Sequence, residues 1–361
     1  MPVLEPSQLF KRGAKTPTHT LLDVRAPLEV ERGALPYSQF EPILTDSERH
    51  QVGIRYKEQG QEAAIELGYE LTGPFLPSRI ERWREISSQG PTAAMCWRGG
   101  LRSQLALEFM DLPEVPRVAG GYKAVRQHLM DRLPGELLER EILVLTGLTG
   151  SGKTRLLGAL EGNAQLESLD LEGLANHRGS AFGNMGQQPA QASFENALAA
   201  EILLSPAQTL LLEDESRNIG QLELPSPLWE TLRGAKGILL EAGVQERSQQ
   251  IFEDYVRVET ERLGQETLRQ NLEANFNKLK RRLGTASVER GIAMLEDAYK
   301  SGAWLELGAH QPWIELLLLE YYDPLYRKGL EKSGREILFR GDFDAVLEYL
   351  HSDSVSHPLE P

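Results

Sequence analysis

Short apolar runs alternate with longer amphipathic stretches along the chain, and the alternation has two beginnings. In the first third, Thr18-His-Thr-Leu-Leu-Asp-Val24, Thr92-Ala-Ala-Met95 and Arg117-Val-Ala119 read as strands, while Ser103 to Met110 and Tyr122 to Leu129 read as helices. Strands separated by helices predict a small parallel sheet covered on both faces. A second α/β unit starts at Glu141-Ile-Leu-Val-Leu-Thr146, a continuous apolar run of the kind buried in parallel sheets. Gln165 to Leu169, Thr209 to Leu212 and Lys236 to Leu240 continue it. From Val244 apolar residues recur at three and four spacings among long charged stretches, which predicts a mainly helical region. The tail from His351 to Pro361 is expected to fray.

Arg132-Leu-Pro-Gly-Glu136 reads as a linker, so the expected domains are 1–133, 134–243 and 244–361, the last packed with the second. The 361 residues suit two or three domains at about 150 each. Charge falls unevenly: the first 133 residues are balanced, so the whole net charge of −14 sits on the remainder. Such acidity argues against a general nucleic-acid binder, because phosphate contacts need Lys and Arg. A local basic face is still expected from the run Lys278, Lys280, Arg281, Arg282, with Arg79, Arg82 and Arg84 as further candidates. Taken alone, such a run is more often a solvated helix face. No apolar run approaches the roughly 20 residues that cross a bilayer, and the first residues lack the zones of a secretory signal, so a cytoplasmic location is expected. The single cysteine, Cys96, excludes an intramolecular disulfide framework and a Cys-based zinc cluster.

That cysteine opens the segment Cys96-Trp-Arg-Gly-Gly-Leu-Arg-Ser103, between a strand and a helix. A loop ending at a helix N-terminus turns backbone N–H groups toward the sulfur, and Arg98 and Arg102 add positive potential. Both effects favour the thiolate, the nucleophilic form. Gly99 and Gly100 let the loop curl until its amides converge on an anion. A lone cysteine is more often a small buried hydrophobe, but an apolar core has no use for two arginines and two glycines so close by. Trp97 could stack on an unpaired base, although aromatic rings more often pack in cores.

Gly147-Leu-Thr-Gly-Ser-Gly-Lys-Thr154 matches the phosphate-loop pattern in full and follows an apolar strand directly. Gly147, Gly150, Ser151 and Gly152 supply backbone N–H groups for phosphate oxygens, Lys153 reaches the terminal phosphates, and Thr154 can hold Mg²⁺. Leu210-Leu-Leu-Glu-Asp-Glu-Ser-Arg217 reads as the partner strand, with Glu213 or Asp214 orienting a metal's water and Arg217 meeting a phosphate. A solvated strand end is the plainer meaning of such an acidic cluster. Asp170, His177, Arg178 and Ser180 lie in a third segment with little apolar periodicity, which points to an acceptor or ligand loop. No metal site is certain from the residues. The loop recognises polyphosphate rather than adenine, so ATP stays open.

The thiol loop resembles that of rhodanese domains, as do Leu21-Leu-Asp-Val-Arg-Ala-Pro-Leu-Glu29 and the closing Gly120-Gly-Tyr122. Its arginine lies one residue farther from the cysteine than in common sulfurtransferases, a wider cradle like that of Cys-based phosphatases and arsenate reductases. An arsenate reductase would usually need a second, resolving cysteine, which this chain lacks. A rhodanese-like domain joined to a P-loop NTPase-like α/β domain carrying Asp-Leu-Glu, His-Arg-Gly-Ser and Glu-Asp-Glu-Ser-Arg is similar to the tRNA 2-selenouridine synthases, and the likeness covers nearly the whole chain. Val52-Gly-Ile-Arg-Tyr-Lys57 with Gly60, and Tyr321-Tyr-Asp-Pro-Leu-Tyr326, agree.

The resemblance implies a transferase that replaces the 2-thio sulfur of a wobble uridine by selenium from selenophosphate. It implies an S-geranyl-2-thiouridine intermediate made from geranyl diphosphate, a tRNA anticodon loop as substrate, and a separate enzyme producing selenophosphate. On that basis Cys96 would serve the selenium step, with Arg98, Gly99, Gly100 and Arg102 holding the selenophosphate oxyanion, and the P-loop would grip the diphosphate. Two other classes compete: a P-loop kinase or ATPase with an appended sulfur-carrier module, and a Cys-dependent phosphatase or regulatory module.

Overall fold

The computed structural model describes residues 1–160, 166–177 and 186–352. The chain divides into two compact units, Met1–Glu139 with Pro189–Pro206, and Arg140–Gln188 with Ala207–Pro361.

The first unit carries a five-stranded sheet of β1 (Val3–Leu4), β2 (Thr20–Asp23), β3 (Ser38–Phe40), β4 (Thr92–Met95) and β5 (Arg117–Val118). Its order is β1-β5-β4-β2-β3 and every pairing is parallel. All four residues of β4 are buried, as the uninterrupted apolar run predicts for a strand covered on both faces. Helices Leu76–Ser88 and Leu101–Met110 supply Trp83, Ile86, Ala106, Leu107 and Met110 to a core shared with Leu22, Val24 and Ala94.

The helix Gln191–Leu204 also belongs to this unit, although the sequence places it inside 134–243. Its buried Asn196 explains the attachment. The amide donates to the Ala34 carbonyl at 2.7 Å and to the Tyr122 hydroxyl at 3.3 Å, and it accepts from Arg126 at 2.9 Å. The helix is apolar on nearly all sides, with Phe194, Leu198, Ile202 and Leu203 among its buried residues, so its pattern alone holds no sign of which sheet it joins. The expected linker Arg132–Glu136 is instead part of the helix Gly121–Leu138, with Pro134 inside it. Leu133 and Leu137 are buried there and Arg132 pairs with Glu136 one turn on, so packing overrides the proline signal.

The second unit holds β6 (Glu141–Thr146), β7 (Leu166–Leu169), β8 (Thr209–Glu213), a small ribbon of β9 (Asn218–Ile219) and β10 (Leu222–Glu223), β11 (Lys236–Leu240) and β12 (Ile337–Gly341). The main sheet is parallel throughout, in the order β12-β11-β6-β8-β7. Strand β12 rises from the region expected to be helical, and it pairs at the edge beside β11. Five mostly half-buried residues are too few to interrupt a helical reading. The helices that fill the rest pack around Phe252, Phe276, Leu295, Trp313 and Leu317. Two π-helical turns, Glu253–Arg257 and Leu318–Tyr322, interrupt them, a device frequent at functional sites. Among the described residues no helix is long and apolar enough to cross a membrane. The helix Phe343–His351 is ordered against the sheet, and the rest of the expected frayed tail, from residue 353, lies outside the described residues.

Candidate functional site

Strand β4 delivers Cys96 to the sheet's carboxyl edge, and the helix Leu101–Met110 begins five residues later. Between them the chain folds back on itself. The Gly100 amide donates to Cys96 Sγ at 3.2 Å, and the Ser103 hydroxyl lies 3.4 Å from the same sulfur. The thiol is buried at 3% exposure, yet it meets polar donors rather than a purely apolar wall. Gly99 has φ +59°, and a Cβ there would come within 2.4 Å of the Val118 carbonyl oxygen, so only glycine fits the turn. The closing Gly120-Gly121 pair is fastened to the loop, because Tyr122 N donates to the Cys96 carbonyl at 2.9 Å and Lys123 N to that of Trp97 at 3.1 Å.

Charges around the thiol are largely matched. Arg102, expected to hold an oxyanion, engages both carboxylate oxygens of Glu29. Burial, the largest single influence on Glu29, pushes its carboxyl up, but the hydrogen bond and charge of Arg102 with the Ala26 amide and Arg49 outweigh it, and the net shift is downward. Arg25 is wholly buried, paired with Asp23 and placed 3.9 Å from the Tyr122 ring centre. Trp97 stacks on Tyr122 at 5.2 Å, the packing role rather than a free stacking face. Arg98 alone of the expected cradle cations is exposed and unpaired among the described residues. Ser103 and Glu29 escaped the sequence reading; Glu29 ends the quoted Asp-Val-Arg segment, a signal that was present.

In the second unit, β6 leads into the phosphate loop. Gly150 and Gly152 take φ of +79° and +89°, and a Cβ on Gly147 would stand 2.7 Å from the Leu240 carbonyl. The helix Lys153–Ala159 follows, with Gly152 as its cap. Lys153 Nζ donates to the Gly147 carbonyl at 3.0 Å, and Thr154 donates to Glu213 at 3.0 Å. The Ser151 hydroxyl is buried without a hydrogen-bond partner among the described residues. The helical region braces this loop. Arg247 donates to the Thr149 carbonyl at 3.3 Å while paired with the buried Asp323 at 2.8 Å, and the Gly147 amide donates to the Tyr326 hydroxyl at 2.6 Å. Burial, then the Asp214 charge, pushes that phenol up to about 12.

The acidic cluster divides. Asp214 accepts from Thr146 at 2.7 Å and pairs with Arg335 at 3.2 Å, which makes it a strut under the sheet rather than a free metal ligand. Glu213 and Glu215 face the loop side, with Asp170 and Glu172 nearby. Burial, followed by neighbouring carboxylates, drives both well above the carboxylate range, against the pull of Lys153. Among the described residues no three His, Cys, Asp or Glu side chains are grouped to hold a metal ion by themselves. Glu215 and Glu172 are additions to the expected set. Arg217 pairs with Glu223 across the ribbon at 2.6 Å and does not line the cleft. Asp170 accepts from the Gly173 amide at 2.7 Å at the start of a short helix. His177 is half-buried, and burial lowers its pKa. Arg178 and Ser180 lie outside the described residues.

The loop opens into a cleft of about 1360 Å³. Ile251, Tyr255, Tyr322 and Leu325 form an apolar and aromatic wall, and the two π-helical turns supply Tyr255 and Tyr322. A small side pocket of about 30 Å³ shares Thr149, Ile251, Tyr255 and Tyr322 with the cleft and is closed by Leu272, Trp313 and Leu317.

A family model described as the tRNA 2-selenouridine synthase AAA domain matches residues 140–357. Similar proteins include the tRNA 2-selenouridine synthases of Cupriavidus pinatubonensis, 40% identical over 92% of this chain and 95% of that protein, and of Pseudomonas fluorescens, with the same three figures. The corresponding protein of Shewanella halifaxensis is 38% identical over 92% of this chain and 94% of its own.

Proposed function

The chain belongs to the tRNA 2-selenouridine synthase family, and from that premise we propose that it exchanges the 2-thio sulfur of a wobble uridine for selenium in two steps. The first step uses the cleft. Sulfur of 2-thiouridine attacks C1 of geranyl diphosphate, the C–O bond breaks, the base gives up its N3 proton, and diphosphate leaves. Phosphate-loop amides and Lys153 neutralise the leaving group. Where Mg²⁺ accompanies the diphosphate, Thr154 and Glu213 are the residues that would hold it, and it would add positive charge at the departing oxygens. The single observation that carries this reading is the pairing of a phosphate loop with an apolar wall in one cleft. A prenyl diphosphate needs both, whereas a nucleotide needs a base-recognising surface instead.

The second step uses the thiol loop. Strand order, the buried Asp23–Arg25 pair and the Gly-Gly closure support a rhodanese-like unit. Selenium of selenophosphate attacks C2 of the base, geranylthiol departs, and water cleaves the Se–P bond to release phosphate. Cys96 serves this step, with Arg98 receiving the oxyanion and the loop amides of Gly99 and Gly100 shared between it and the sulfur, to which Gly100 donates at 3.2 Å. Arg102, expected to hold the oxyanion, is instead paired with Glu29. A separate enzyme must supply selenophosphate.

Purified protein incubated with 2-thiouridine tRNA and geranyl diphosphate should yield the S-geranyl nucleoside by mass spectrometry. Selenophosphate added afterwards should convert it to 2-selenouridine without ATP. Strict ATP dependence with no geranylated nucleoside would overturn the scheme in favour of the kinase-like class.

A further inference from the structure

Most arginines of this acidic chain are committed to carboxylates, as Arg79, Arg126, Arg269 and Arg290 show. The second basic group expected from sequence is spent this way. Arg79 also binds the Ile43 carbonyl, Arg82 faces Glu41, and Arg84 donates to the Met110 carbonyl. Against that background Arg233, Arg282 and Lys332 stand out. All three line the cleft, all are exposed, and none has a carboxylate partner among the described residues. Arg282 makes one long contact of 3.4 Å to the Tyr321 hydroxyl.

They come from three separate elements: Arg233 from the last turn of Ser226–Gly234, Arg282 from Lys280–Leu283, and Lys332 from the last turn of Asp323–Ser333. A cation at a helix C-terminus has an ordinary use, since it complements the carbonyl end by about 0.3–1 kcal/mol. That use accounts for each residue singly. It does not account for three such ends meeting at one opening. A small diphosphate is already served by the loop amides and Lys153, so an exposed outer ring of cations suits a longer polyanion. Lys280 and Arg281, both exposed, continue the positive surface past Arg282. Trp229, half-buried one helical turn before Arg233, offers an aromatic face on the same cleft wall. Cations tracking a backbone beside an aromatic platform are the means by which single-stranded RNA is held.

We propose that Arg233, Arg282 and Lys332 are the dock for the RNA backbone, binding successive phosphates of the anticodon strand so that its unstacked base enters the prenyl-transfer cleft. Trp229 stacks on a neighbouring base. The inference rests on the reading of that cleft given above, and it explains how a chain of net charge −14 engages RNA: cations without carboxylate partners among the described residues line the cleft that the base must enter.

The test uses the full chain with Arg233→Glu, Arg282→Glu and Lys332→Glu combined, and a second protein with Arg233→Lys and Arg282→Lys. The exposed positions leave folding intact, verified by circular dichroism. Affinity for a 2-thiouridine anticodon stem-loop is read by fluorescence anisotropy across a salt series, and geranyl diphosphate affinity by calorimetry. The charge-reversed protein should bind RNA at least about tenfold more weakly, with the salt slope shallower by about 2. Its geranyl diphosphate affinity should stay within twofold, and the Lys variant should retain RNA binding. Unchanged RNA affinity and slope would overturn the proposal, leaving three helix-end charges only. Loss of geranyl diphosphate affinity with RNA binding intact would overturn it too, making them diphosphate ligands. Failure of the wild-type protein to geranylate the stem-loop would instead strike the prenyl-transfer reading, and the RNA titrations would still judge the dock.

Discussion

The thiol loop and the phosphate loop are built on the same plan and finished in opposite ways. Each follows a buried parallel strand, turns on glycines with positive φ, and ends at a helix N-terminus. Each has a buried Arg–Asp pair in its unit that also reaches backbone carbonyls: Arg25–Asp23 holds those of Glu29 and Gly33, beside the carboxylate that pairs with Arg102, and Arg247–Asp323 holds that of Thr149 in the phosphate loop itself. The finish differs in charge. Around Cys96 nearly every charge has its partner, and the sulfur already receives a backbone amide. Around Lys153 carboxylates crowd together, Ser151 lacks a hydrogen-bond partner among the described residues, and a large cleft stands open. A matched site is ready for one small group. An unmatched one holds crowded carboxylates that a proton or a bound cation stabilises, so its stability should respond to ligand and pH far more strongly.

Cys96→Ala should break the comparison most completely. It should abolish selenation while geranylation of 2-thiouridine tRNA remains measurable by nucleoside mass analysis; joint loss of both products would refute the division of labour. Next come the braces. Asp23→Asn and Asp323→Asn each leave a buried guanidinium without its counter-charge, a change that typically costs about 3–5 kcal/mol. Hydrogen exchange should localise the loss to the unit that carries the substitution. Only Asp323→Asn should also weaken geranyl diphosphate binding, because Arg247 orients Thr149.

Lys153→Ala is a smaller step, removing one charge-assisted contact of roughly 1.5–3 kcal/mol. Geranyl diphosphate affinity measured by calorimetry should fall about ten- to a hundredfold. Conversion of tRNA already carrying the S-geranyl group should continue. If that second reaction stops as well, the two loops do not serve separate steps.

These contrasts were partly legible before any coordinates. The two strand–loop–helix signatures stand out because glycine, lysine and cysteine chemistry is local: the residues that build each loop are neighbours in sequence. What was hidden is pairwise. Nothing in the run Cys96 to Ser103 says that Arg102 will be claimed by Glu29, seventy-three residues away. Likewise Asp214 and Glu215 look equivalent in Glu-Asp-Glu, yet side chains alternate across a strand end, and one meets Arg335 while the other turns to Glu172. The places of Arg217 and of the helix Gln191–Leu204 are hidden for the same reason, since their partners Glu223, Ala34 and Tyr122 are set by tertiary packing.

The gentlest test compares one carboxylate from each region, Glu29 and Glu213, through the pH dependence of stability. Glu29 is held below the ordinary carboxylate range by Arg102, so it contributes stability above that range and loses it as pH falls through its folded value. Glu213 is pushed up to about 8 by burial and by Glu172 and Asp170, so the opposite sign applies. The unfolded chain surrenders this proton near pH 4.5 while the folded chain keeps it, and stability therefore declines as pH rises toward 8. In ligand-free protein, Glu29→Gln should melt below wild type at pH 7 and converge with it in acid. Glu213→Gln should match wild type near pH 4.5 and gain on it steadily as pH rises toward 8. Thermal melts across that range check both. Should the two variants slope the same way, the matched thiol loop and the unmatched phosphate cleft would not differ in the manner their charges indicate. Adding geranyl diphosphate with Mg²⁺ should shrink the Glu213→Gln advantage, because a bound cation beside Thr154 would give the ionised carboxylate a counter-charge.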